Sequence, residues 1–104
     1  MRRCLVLFLL LAGAAHAHAQ TPPRPVRLGL CAACHGENGM ARGKGIPDLA
    51  GQDADYLVAA LTQYRSGERS ASAMRTVAGA LSSADIDALA RWYAAQSRAG
   101  NVAQ

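Results

Sequence analysis

The apolar positions of this chain fall twice into a sustained helical repeat, and the residues around those repeats break it. Leu57, Ala60, Leu61 and Tyr64 share one face of a helix. With Asp53 just before and Gly67 just after, the spacing predicts a helix over residues 54–66, since a carboxylate caps a helix start and glycine suits its end. Ile86, Leu89, Ala90 and Tyr93 form a second stripe, and Ser82 with Asp85 three residues later makes a capping box ahead of it. That helix is expected to end near Arg98, with Gly100 just beyond. Val26 and Leu30, four apart, predict a shorter helix over 26–33. Gly29 inside it costs about 1 kcal/mol of helix stability, which predicts that another backbone passes close to it.

Elsewhere the pattern is punctuation. Gly36, Gly39, Gly43, Gly45, Pro47 and Gly51 predict a long loop without regular period, and loops of that length are usually functional or wrapped around something. Residues 68–73 are small and polar, and a short helical piece through Val77 and Ala80 is expected after Met74. No strand signal and no internal repeat stand out, so the fold class is all-α, with three to four short helices.

The first residues change the picture of length. Arg2 and Arg3, the uncharged apolar run of residues 5–15 and Ala17-His18-Ala19 read as a secretory signal peptide over 1–19. The apolar run is about half of the ~20 residues a spanning helix needs. No stable membrane span is therefore expected after cleavage. Residues 20–25 read as a flexible proline-rich tail and 26–104 as a single domain. The mature chain has 85 residues (104 minus 19), and its aliphatic content is largely alanine. A core of side chains alone is marginal at that size, so a large apolar cofactor is expected to complete it.

Charge adds little. Loss of Arg2 and Arg3 leaves nine basic against seven acidic residues, or +2, which gives no support for nucleic-acid binding. Arg42, Lys44, Arg65, Arg69 and Arg75 are scattered, consistent with a solvated surface or with a ring of charge that steers an acidic partner.

The chemistry lies in Cys31-Ala32-Ala33-Cys34-His35, the spacing of a covalent c-type haem attachment site. On one turn of helix Cys31 and Cys34 face the same way, so both thiols can reach the two vinyl groups of one porphyrin. His35 can then lie under the iron. A dithiol redox couple, half a zinc site and a plain disulfide are the rival readings. After cleavage at residue 19, Cys31 and Cys34 are the remaining cysteines and His35 the remaining histidine, which leaves zinc without a second ligand pair. No β-branched strand precedes Cys31 as a thioredoxin-like motif requires, and a disulfide leaves His35 without a role.

With one histidine, the opposite face of the iron needs another donor. Met40 lies five residues after His35, too close in sequence to cross the porphyrin easily, whereas Met74 lies 39 residues on (74 minus 35), past a whole helix. Met74 also sits in a polar segment and not on an apolar stripe, so it is the preferred second ligand. Histidine and methionine together raise the reduction potential and close the iron to substrates, which points to electron transfer.

The ordered set of motifs resembles the class I cytochrome c family, in particular the small bacterial cytochromes of the c553, c5 and c4-domain type. It runs through Cys31 to Gly36, Pro47-Asp48-Leu49-Ala50-Gly51-Gln52, Tyr56, Leu61, Tyr64 to Arg69, Met74, Leu81 to Ile86 and Trp92-Tyr93. The resemblance implies one haem c, thioethers at Cys31 and Cys34, and iron held by His35 and Met74. It further implies that the Pro47 carbonyl accepts the free N–H of His35, and that Gly29 faces the helix carrying Leu89 and Tyr93. Expected is a monomeric periplasmic one-electron carrier, not an enzyme, served by redox partner proteins. The alternative is a haem-bearing subunit or domain partner of a periplasmic oxidoreductase.

Overall fold

A computed structural model describes residues 13–15 and 21–98. The expected signal peptide lies outside the described residues apart from 13–15, as does Gly100. Four helices and no strand are found among the described residues: α1 Leu28–His35, α2 Ala54–Ser66, α3 Ser72–Gly79 and α4 Ser83–Ala94.

The two stripes form the expected helices for the expected reasons. Asp53 accepts the amide of Tyr56 at 2.8 Å, and Gly67 closes α2 in the left-handed conformation at φ 83°. At the start of α4, Ser82 and Asp85 exchange both bonds of a capping box, each at 3.0 Å. Ile86, Leu89, Ala90 and Tyr93 are all buried. They join Leu28 and Cys31 of α1, Leu57 of α2 and Leu81 in one core cluster. Full burial of a leucine or isoleucine contributes about 1.5–3 kcal/mol, so Leu28, Ile86 and Leu89 form its anchor.

Several boundaries depart from expectation. α4 stops at Ala94, not near Arg98, because the Tyr93 carbonyl is drawn off by the amides of Gly51 (3.0 Å) and Gln96 (3.1 Å). α1 starts at Leu28, two residues late. Val26 is 95% exposed and Leu30 43%, so the buried side of α1 is Leu28, Cys31 and His35 instead of a Val26–Leu30 face. Gly29 meets nothing within 4 Å of a Cβ built on it, so no backbone, α4 included, passes close by. Close approach occurs instead at Gly36, whose Cβ would collide with the Met40 carbonyl, and at Gly39, where a Cβ would lie 2.5 Å from the Ala50 nitrogen. Met74 lies inside α3, in its first turn, and not ahead of it.

The described part of the tail is held against the domain. Arg24 pairs with Glu37 at 2.9 Å, and Pro25 is buried. Residues 36–51 form the expected irregular loop, and α2 packs against both α3 and α4.

Candidate functional site

α1 ends in the Cys31 to His35 motif, and its helical turn is what brings the three side chains to one side. Cys31, Cys34 and His35 line a single cavity of about 480 Å³, within the range typical of cofactor sites. Leu57 and Leu61 from α2, Met74 and Val77 from α3, and Leu89 from α4 complete much of its wall. The lining is predominantly apolar. Met40 is not among the lining residues.

His35 is fixed by its neighbour. Its Nδ1 lies 2.8 Å from the Pro47 carbonyl oxygen, and a carbonyl can only accept, so Nδ1 carries the proton. Nε2 is thereby the lone-pair nitrogen, free to bind a metal, and the bond strengthens it as a donor. Pro47 also lines the cavity, and the sequence resemblance located this contact correctly.

The thiols differ. Cys31 is buried and burial pushes its pKa up to about 11, while Cys34 is exposed. A dithiol redox couple works with a depressed thiol pKa, so the environment of Cys31 opposes that reading. No cluster of three or more His, Cys, Asp or Glu suited to a metal ion occurs among the described residues. These side chains suit a flat, largely apolar group with a metal at its centre: two sulfurs to anchor it, an imidazole with a defined tautomer, a thioether and aliphatic walls.

Met74 reaches the cavity by a different route from the one the sequence suggested. It belongs to a helical apolar stripe after all, since Met74 and Val77 lie three apart on α3 and both line the cavity. That stripe faces the cofactor space and not a closed core.

An aromatic and basic cluster at the cavity was not read from the sequence. The Arg69 guanidinium lies 5.7 Å from the Tyr56 ring centre and 5.4 Å from that of Tyr64, and donates to the Tyr56 hydroxyl at 3.3 Å. All three line the cavity. Tyr56 and Tyr64 are eight apart on α2, a two-turn spacing that marks one face and was the available signal. Of the scattered basic residues, Arg65 is engaged elsewhere, with Leu81 and Ser83.

An all-α domain with this donor set around an apolar cavity is a c-type haem protein in class. The cytochrome c family model matches residues 26–94. Cytochrome c-554(548) of Halomonas halodenitrificans is 38% identical over 73 residues, covering 67% of this chain and 88% of that protein. The thiosulfate dehydrogenase electron acceptor of Stutzerimonas stutzeri is 42% identical over 67 residues, covering 62% of this chain and 31% of that protein. Among solved structures, reduced recombinant cytochrome c4 from Pseudomonas stutzeri superposes with a TM-score of 0.60 at 38% identity, covering 64% of this chain and 38% of the other. The chain thus spans most of the first relative and about a third of each of the other two. It belongs to the cytochrome c family, small bacterial class I type, and carries a covalently attached haem with its iron.

Proposed function

We propose that the chain is a periplasmic one-electron carrier in which Cys31 and Cys34 bind the haem through thioethers, and His35 and Met74 hold its iron from opposite sides. The observation that carries this reading is the meeting of two thiols, an imidazole and a thioether on one apolar cavity. When bound, haem supplies an iron couple that takes up and gives off one electron. The chain's own residues determine how. His35 keeps Nε2 as the ligand atom by donating Nδ1–H to Pro47. Met74 supplies a neutral sulfur, which raises the reduction potential relative to a second imidazole. His35 and Met74 together would hold the iron and would leave it no site for oxygen or peroxide. The aliphatic side chains of α2, α3 and α4 that line the cavity give the haem a largely apolar surrounding. Export is supported by the pattern of residues 1–19, and no helix among the described residues is long and apolar enough to cross a membrane.

Oxidised and reduced visible spectra with a redox titration test the reading. Met74→Ala is expected to lose the ferric thioether-to-iron charge-transfer band, to lower the potential and to admit carbon monoxide to the ferrous iron. Met40→Ala is expected to keep the wild-type behaviour in all three. The reverse pattern overturns the ligand assignment, and ready carbon monoxide binding by the wild type overturns the carrier. Periplasmic fractionation tests the location.

One observation favours a narrower second reading: the Stutzerimonas stutzeri relative is named as the electron acceptor of a thiosulfate dehydrogenase. On that reading the chain serves one oxidoreductase. Saturable reduction of the purified protein by such an enzyme supports it, and reduction that stays linear in protein concentration counts against it.

A further inference from the structure

Trp92 and Tyr93 look like core packing in the sequence, and the electron-carrier reading uses neither. Both make directed hydrogen bonds. The Tyr93 hydroxyl donates to the Gly36 carbonyl at 2.9 Å in a buried bond, and Trp92 Nε1 donates to the Glu37 carbonyl at 2.8 Å. Gly36 and Glu37 are the two residues directly after His35. The same turn of α4 also holds the far end of the loop, where the Tyr93 carbonyl accepts the Gly51 amide at 3.0 Å.

Inside the loop the bonds continue toward Pro47. The Gly36 carbonyl also accepts the Gly39 amide at 3.3 Å, and the Gly39 carbonyl accepts the amides of Leu49 (2.7 Å) and Ala50 (3.1 Å). Pro47, whose carbonyl meets His35 at 2.8 Å, stands two residues before Leu49. There is little slack in this path, because the backbones of Gly39 and Ala50 lie so close that a Cβ on Gly39 would collide with Ala50.

We propose that Tyr93, seconded by Trp92, is a positioning residue for His35: α4 grips both ends of the 36–51 loop and so holds the Pro47 carbonyl against His35 Nδ1, setting how strongly the imidazole donates. The proposal rests on His35 being the iron ligand. A tight Nδ1–H bond gives the ring more anionic character and favours the oxidised metal, so loosening it raises the potential. Burial raises the pKa of the Tyr93 hydroxyl, which therefore stays protonated and able to donate across the working pH range.

The test uses the haem-loaded protein. Tyr93→Phe keeps the ring and removes only the hydroxyl. It is expected to raise the reduction potential and to speed solvent exchange of the His35 Nδ1 proton, followed by NMR, about five- to tenfold, the effect of losing one neutral hydrogen bond. Trp92→Phe is expected to move both in the same direction by less, since Glu37 lies one residue further from His35. A lowered melting temperature with potential and exchange both unchanged in Tyr93→Phe leaves the hydroxyl a packing role and overturns the proposal. The ferric thioether band separates this failure from a failure of the ligand assignment: its absence from the wild type undoes the latter, while its retention in Tyr93→Phe shows the axial pair intact.

Discussion

α2 and α4 begin at side-chain caps, Asp53 and Ser82, whereas α1 and α3 begin at Arg27 and Ala71 with no side-chain cap at all. The uncapped pair is the one that bears the site: Cys31, Cys34 and His35 lie on α1 and Met74 on α3. The contrast teaches that the scaffold helices are specified locally, while the two that line the cavity with the proposed haem-binding residues lack such a start and are expected to depend on what they hold. An eight-residue helix is below the ~12–15 residues at which even good sequences are marginally helical alone, and both α1 and α3 have eight.

The largest test of that difference removes the cofactor's anchors. Cys31→Ala with Cys34→Ala is expected to abolish the cooperative thermal transition, with amide protection in α1 and α3 lost before that of α2 and α4. A normal circular dichroism spectrum with α1 and α3 still protected defeats the contrast. Next in size, Ser82→Ala deletes half of the capping box and is expected to cost about 1 kcal/mol by denaturant melts, without altering the visible spectrum. Ala71→Ser works in the other direction. Ala71 already has the extended backbone of an N-cap, so a hydroxyl there is expected to add up to ~1 kcal/mol. No gain indicates that α3 is limited by the cavity and not by its start.

The smallest effect is one of pH. The Ser82 amide and hydroxyl hold the Asp85 carboxyl below its ordinary pKa. A lowered pKa means that the unfolded chain takes up the proton first as pH falls. The stabilisation is therefore present above the unfolded value of about 3.9 and fades as pH drops below it. Asp85→Asn is expected to flatten the acid limb of a melting-temperature profile, and an unchanged limb removes Asp85 from the account.

The same contrast explains what could be read in advance. The bounds of α2 and the start of α4 were legible because Asp53, Gly67, Ser82 and Asp85 are local signals that act within one turn. Cys31, Cys34, His35 and Met74 were legible as chemistry, by residue type and spacing, before anything was known of their surroundings. Other features depend on residues far apart. The end of α4 is set by the Gly51 amide, 42 residues away (93 minus 51), and no pattern within α4 shows it. α3 starts earlier than its sequence suggests because Ala71 gives no cap signal, and α1 starts later because Val26 faces solvent. The close approach that a glycine within α1 suggests lies instead at Gly36 and Gly39, whose positive φ angles of 77° and 78° are the better reason for glycine.

The grip of Tyr93 on Gly36 spans 57 positions and that of Trp92 on Glu37 spans 55, which gives the molecule a built-in order of assembly. Contacts so distant in sequence close a long stretch of chain, and the entropy of that closure has to be met before they form, so they are expected to form after the local turns of α2. On that order the chain after His35 is unpinned while the Tyr93 and Trp92 bonds are unmade, which leaves a period in which Cys31 and Cys34 are open to attachment. Pulse-labelled hydrogen exchange should accordingly find the Gly51 amide protected later than the amides of α2.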